Sequence, residues 1–143
     1  MAKKKNRACF DFLGYRINIW VAKKGDVIRV SDVDKITFNT EQFLGQTYTS
    51  KNKDNTPEFG IIFNNDVPIS VDVVAHECWH LFFYINGYWN LEQEEVYSSD
   101  ELCGEAYAHM FEHLFRGTVD ALLVLRDGSL EGIRGSAKDE DKK

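Results

Sequence analysis

The chain has 143 residues, enough for one domain with a core of its own, and 43% hydrophobic with 13% aromatic residues supplies the material for it. A formal net charge of −6 argues against nucleic acid as a partner. The basic opening, MAKKKNR, is short and reads as a solvated tail.

No apolar signal segment follows that tail. CFDFLGYRINIW alternates and carries Asp11 and Arg16, so it is neither a signal peptide nor a membrane span, and the expected location is the cytoplasm. Residues 1–14 are read as tail and lead-in. Cys9, Cys78 and Cys103 form no C-x-x-C pair, which predicts reduced thiols acting as small apolar fillers.

The first half reads as β. Tyr15 to Val21 (YRINIWV) alternates with bulky and branched residues, a strand signal. Lys24-Gly25-Asp26 is a turn, Val27 to Val30 a short strand, and Ile36 to Phe38 a candidate third. Thr40 to Leu44 suits a helical turn. Thr47 to Pro57 (TYTSKNKDNTP) is polar and reads as a loop. Phe59 to Phe63 (FGIIF) is an apolar strand, closed by the turn Asn64-Asn65-Asp66.

The second half reads as α. Ser70 is placed to cap a helix whose first turn holds Asp72, a charge that suits the helix dipole. That helix is expected to run to about Asn86 and to end at Gly87. Ser98-Ser99-Asp100-Glu101 has the capping-box form, so a second helix is expected from there at least to Arg116 and at most to Leu125. Residues 127–143 are rich in glycine and charge and are expected to be disordered. The reading is one α+β domain over residues 15–126, a small twisted N-terminal sheet packed on two helices.

The chemistry concentrates on those helices. His76-Glu77-Cys78-Trp79-His80 is H-E-x-x-H. Residues four apart share a helix face, so both imidazoles can reach one metal ion, and Glu77 then stands beside the metal, where a general base for metal-bound water belongs. The bland alternative is a pair of core histidines satisfied by backbone carbonyls. All four histidines (His76, His80, His109 and His113) fall in the helical half. A catalytic zinc takes three protein ligands and keeps one position open. Helix two offers Glu101, Glu105, His109, Glu112 and His113 on one broad face. Glu101 is committed to the capping box. Glu105, between the small residues Gly104 and Ala106, is the first choice for third ligand, and His109, one turn on, is the second. His109, His113 and Tyr97 are candidates for steadying an oxyanion or for the outer shell, with Tyr107 a weaker one. A di-iron site needs a second E-x-x-H, and Glu105-x-x-x-His109 is off by one. The metzincin extension needs Gly and His where Phe83 and Asn86 stand.

H-E-x-x-H on one helix with a Glu about 25 residues later on a second resembles the glutamate-ligand zincins. VVAHECWHLFFYI followed by GEAYAHMFEHL is most similar to small zincin-like metallopeptidases encoded by bacteriophages and prophages, and more distantly to the ImmA/IrrE-like peptidases. The likeness covers Phe59 to about Phe115 and includes the motif Glu105-Ala106-Tyr107-Ala108. It implies a minimal zincin fold and one Zn2+ held by His76, His80 and Glu105, with Glu77 as base. It also implies an edge strand, Phe59, Gly60, Ile61, Ile62 and Phe63, that borders the cleft and pairs with an extended substrate. The expected activity is hydrolysis of a peptide or protein substrate, in the host cytoplasm if the chain is phage-encoded, with neither nucleic acid nor membrane as partner. The alternative is a catalytically silent metal-binding protein acting in assembly or protein binding.

Overall fold

A computed structural model of the chain describes residues 6–39, 43–88 and 100–126, with backbone alone at 88 and 100–104. In chain order the elements are β1 (Arg7–Phe12), β2 (Tyr15–Ala22), β3 (Val27–Arg29), β4 (Lys35–Thr37), β5 (Gly45–Lys51), β6 (Pro57–Asn64), α1 (Val71–Tyr88) and α2 (Asp100–Leu125). The expected α+β class is the observed one. Four strands form a mixed sheet in the order β1-β2-β6-β5, and β3 with β4 makes a separate two-stranded ribbon. The helices pack on the sheet, and no described helix is long and apolar enough to cross a membrane.

Strand alternation explains the layers. Ile17, Ile19 and Val21 of β2 and Phe59, Ile61 and Phe63 of β6 point to one side. There they meet Val74, Cys78, Leu81, Phe82 and Ile85 of α1 and Leu114, Ala121, Leu122 and Leu125 of α2 in one buried cluster. The opposite side takes Ala22, Tyr48 and Ile62, and the ribbon closes over them with Ile28, Val30 and Phe38. β6 is therefore buried on both faces, and its uninterrupted FGIIF run is what such a strand requires.

That burial corrects the role given to Phe59–Phe63. β6 is an inner strand, parallel to β2 and antiparallel to β5, with Ile61 opposite Ile19 on one side and Thr47 on the other. The edge beside α1 is β5, inside the stretch read as a loop; Thr47, Tyr48 and Thr49 are good strand formers, and the turn proper is confined to residues 52–56. The lead-in also contains a strand. β1 pairs with β2 from Arg7↔Trp20 to Phe12↔Tyr15 through a two-residue turn in which Leu13 (φ 53°) and Gly14 (φ 84°) are both left-handed.

The helix signals hold in part. The Ser70 hydroxyl accepts the Val73 N–H at 3.3 Å, the expected N-cap. Gly87 does not end α1, which continues through Tyr88. α2 reaches Leu125, the longer of the two expected limits, and the Arg126 guanidinium then donates to the Asn65 side chain at the turn after β6. Cys78 is a fully buried filler, as expected, whereas Cys9 is exposed, its thiol donating to Asn18 Oδ1 at 3.3 Å. The tails at 1–5 and 127–143, Thr40 with its two successors, the capping serines Ser98 and Ser99, and Tyr97 lie outside the described residues; so does the Cys103 side chain.

Candidate metal centre

α1 buries the stripe Val74, Glu77, Cys78, Leu81, Phe82 and Ile85 and turns His76, Trp79, His80, Phe83 and Tyr84 outward. The two histidines are thus not core residues satisfied by backbone carbonyls. The His76 side chain is 67% exposed. Across one helical turn the two Nε2 atoms face each other at 3.1 Å, with the ring planes crossed at 80°. Two imidazoles on one tetrahedral zinc have nitrogens about 3.3 Å apart, from Zn–N distances near 2.05 Å. The separation fits a shared cation, and it also fits one N–H···N bond between neutral rings.

Glu77 lies at the boundary between this exposed pair and the core. Its residue is 7% exposed, its Oε2 is 3.8 Å from His76 Nε2, and its Oε1 accepts a hydrogen bond from the Thr47 hydroxyl at 2.8 Å. Thr47 comes from β5, two positions after Gly45, on the strand face that meets α1. A Cβ on Gly45 would stand 2.8 Å from Glu77 Cγ, so the strand comes this close to the helix because that residue has none. A cleft of about 420 Å³ opens beside the carboxylate, lined by Phe43, Leu44, Gly45, Asp72, Val73, His76 and Glu77.

Helix α2 meets α1 through Tyr107 and Phe111. Phe82 packs edge-on to both rings, at 5.4 and 5.7 Å, and Trp79 stands 5.8 Å from Phe111. At 100° per residue, Glu105 and His109 lie about 160° around the helix from Tyr107. They are on the solvent side, where Glu105 Oε2 is 3.5 Å from His109 Nε2, with side chains 75% and 68% exposed. His109 Nδ1 is also 3.7 Å from Glu112, and His113 is exposed. The broad polar face read from the sequence therefore exists, but it points away from α1. The structure brings together His76, Glu77 and His80 and leaves Glu105, His109 and His113 apart from them. Among the described residues no group of three or more His, Cys, Asp or Glu side chains is placed to hold a metal ion. Among the described residues the donor set fits a metal at two positions and offers no third.

Thr47, Gly45 and the cleft residues Phe43 and Leu44 were not found from the sequence. Thr47 and Glu77 are 30 positions apart and no spacing rule links them. The glycine at the start of a Thr-rich stretch is the one signal that was available, and it reads equally well as a turn. Comparison with protein-family models, with curated proteins and with solved structures finds no match for this chain.

Proposed function

We propose that the protein is a metal-dependent peptidase, with His76 and His80 holding the ion and Glu77 as general base. The observation that carries the reading is the facing of the two Nε2 atoms at 3.1 Å with the Glu77 carboxylate beside them, at a cleft bounded by the start of an edge strand. Zinc bound by such a pair would supply a water of near-neutral pKa and polarise a carbonyl. Glu77 Oε2, 3.8 Å from His76 Nε2, would take a proton from that water and return it to the leaving amine. Among the described residues β5 has strand β6 on one side and no strand on the other, so an extended peptide can pair along it and pass the cleft. Phe43, Leu44 and Val73 then offer apolar contact to the chain that lies there.

A second reading is favoured by one observation. The described residues supply two donors where a catalytic zinc takes three, and the exposed aromatics Trp79, Phe83 and Tyr84 surround them. A metal-binding protein that docks a partner without turnover has the same appearance. Metal analysis of purified protein together with cleavage of a mixed-sequence quenched-fluorescent peptide library separates the two. The peptidase reading expects one zinc per chain in wild type and in Glu77→Gln, cleavage by wild type, and a loss of about 10²-fold or more in Glu77→Gln. Metal in both without cleavage in either supports the partner-docking reading. His76→Ala and His80→Ala should lose the metal. Glu105→Ala tests the expected third ligand: retention matches the outward position of its carboxylate, and loss means that α2 turns about its axis when metal binds.

A further inference from the structure

We infer that Thr47 is a positioning residue that divides the labour of the two Glu77 oxygens, anchoring Oε1 and leaving Oε2 as the oxygen that works. The inference rests on the peptidase reading for the function of Oε2, and on geometry alone for the anchor.

A carboxylate as buried as that of Glu77 is costly unless its oxygens have partners. The Thr47 hydroxyl lies 2.8 Å from Oε1 and 3.0 Å from the Glu77 carbonyl oxygen. A hydroxyl has one proton to donate, and of the two acceptors the carboxyl oxygen Oε1 is the nearer. Oε2, by contrast, faces His76 Nε2 at 3.8 Å, beyond a direct hydrogen bond and on the side of the imidazole pair and the cleft. The anchor comes from the edge strand, not from the helix that carries Glu77. The strand is held close by Gly45, whose missing side chain leaves room for Glu77 Cγ, and by the antiparallel register that sets Thr47 opposite Ile61. One strand thus both fixes the base and forms the edge along which a substrate would lie. A general base works only from the right position, and a misplacement of about 1 Å can cost 10²-fold in rate.

The test compares Thr47→Val, which keeps the shape and removes the hydroxyl, with Thr47→Ser, which keeps the hydroxyl. The zinc-loaded full chains are assayed on the quenched-fluorescent library, and crystal structures of wild type and Thr47→Val are compared. In Thr47→Val the Glu77 carboxylate is expected to leave its place, and kcat to fall by about 10- to 100-fold with KM within about twofold and the zinc content unchanged. Thr47→Ser should recover to within about threefold of wild type. A Glu77 carboxylate that stays put in Thr47→Val overturns the anchor whatever the rates. So does equal loss of kcat in both variants, the signature of damaged strand packing. If wild type cleaves nothing while the carboxylate still moves in Thr47→Val, the anchor stands and the peptidase reading falls.

Discussion

Tyr48 sits beside Thr47 on the strand but points to the other face of the sheet, and its chemistry reads out that face. Its ring is buried under the ribbon, and its hydroxyl oxygen accepts the Trp20 indole N–H at 2.9 Å. Burial pushes the phenol up from 10.0 to about 12, against the smaller opposing pull of the indole bond. In the unfolded chain the phenol ionises near pH 10, whereas the folded protein keeps its proton until near pH 12. The folded state then binds more protons than the unfolded one, so stability falls as pH rises through that window. The contribution is fully present below about pH 10 and gone above about pH 12. Urea midpoints measured from pH 8 upward should decline over this interval, and Tyr48→Phe should flatten the decline at a fixed cost from the unpaired indole. An unchanged slope in Tyr48→Phe would assign the loss to other groups. Residue by residue, the sequence is most informative where one element carries the whole pattern. His76, Glu77 and His80 were legible because a helix brings positions four apart together, and the pair does meet. The face of α2 was legible too, in that Glu105, His109 and Glu112 do cluster. Its direction was not, because that depends on Tyr107 and Phe111 packing against Phe82, and periodicity cannot say which of two faces meets a partner helix when both carry large side chains.

Among the elements, the sheet turns on how closely β6 is approached from both sides. A Cβ on Gly60 would stand 2.3 Å from the Tyr48 hydroxyl and 2.6 Å from the Asn18 carbonyl oxygen. The first contact is side chain and can give; the second is backbone of the neighbouring strand and cannot without parting β2 from β6. Gly60→Ala should therefore destabilise by about 1–3 kcal/mol, the usual cost of overpacking, or more. Gly87, in the last turns of α1, has no atom of the described residues within 4 Å of where a Cβ would stand, and Gly87→Ala should stabilise by up to about 1 kcal/mol through helix propensity. Opposite shifts of the urea midpoint in the two variants are the expected result, and a tolerated alanine at position 60 would mean that the β2–β6 register is looser than described. The strands were legible in proportion to their burial. FGIIF and YRINIWV announce themselves by apolar content. β5 was hidden because an edge strand beside polar turns looks like its turns, and β1 because Leu13-Gly14 lacks the Asn-Gly or Asp-Gly signature of a tight hairpin. The edge role that the resemblance to zincins gave to Phe59–Phe63 does not fit that segment, which lies inside the sheet. Phe59–Phe63 is too apolar on both faces to be an edge.

At the scale of the molecule, the site and the fold are built from different residues, and that has a consequence for metal removal. The core runs through Ile17, Ile61, Phe63, Cys78, Leu81, Leu114 and Leu122, all at 0% exposure, and none of them reaches the imidazole pair's solvent side. His76 and His80 stand on the outward stripe of α1. In proteins where zinc is the core, binding and folding are one event and a chelator unfolds the chain. Here the sheet with its two buried faces should survive without metal, and zinc should act as an ordinary ligand of the native state. Its contribution then follows RT ln(1 + [L]/Kd), about 2.7 kcal/mol at a free concentration 100 times Kd. Far-UV circular dichroism should be the same with zinc and with EDTA, while the melting temperature rises with added zinc and returns on chelation. In His76→Ala the rise should vanish and the spectrum remain. Chelator-induced loss of the helical spectrum would mean instead that the cation joins α1 to α2, which requires a third donor from the second helix and a packing of the two helices other than the one through Phe82, Tyr107 and Phe111.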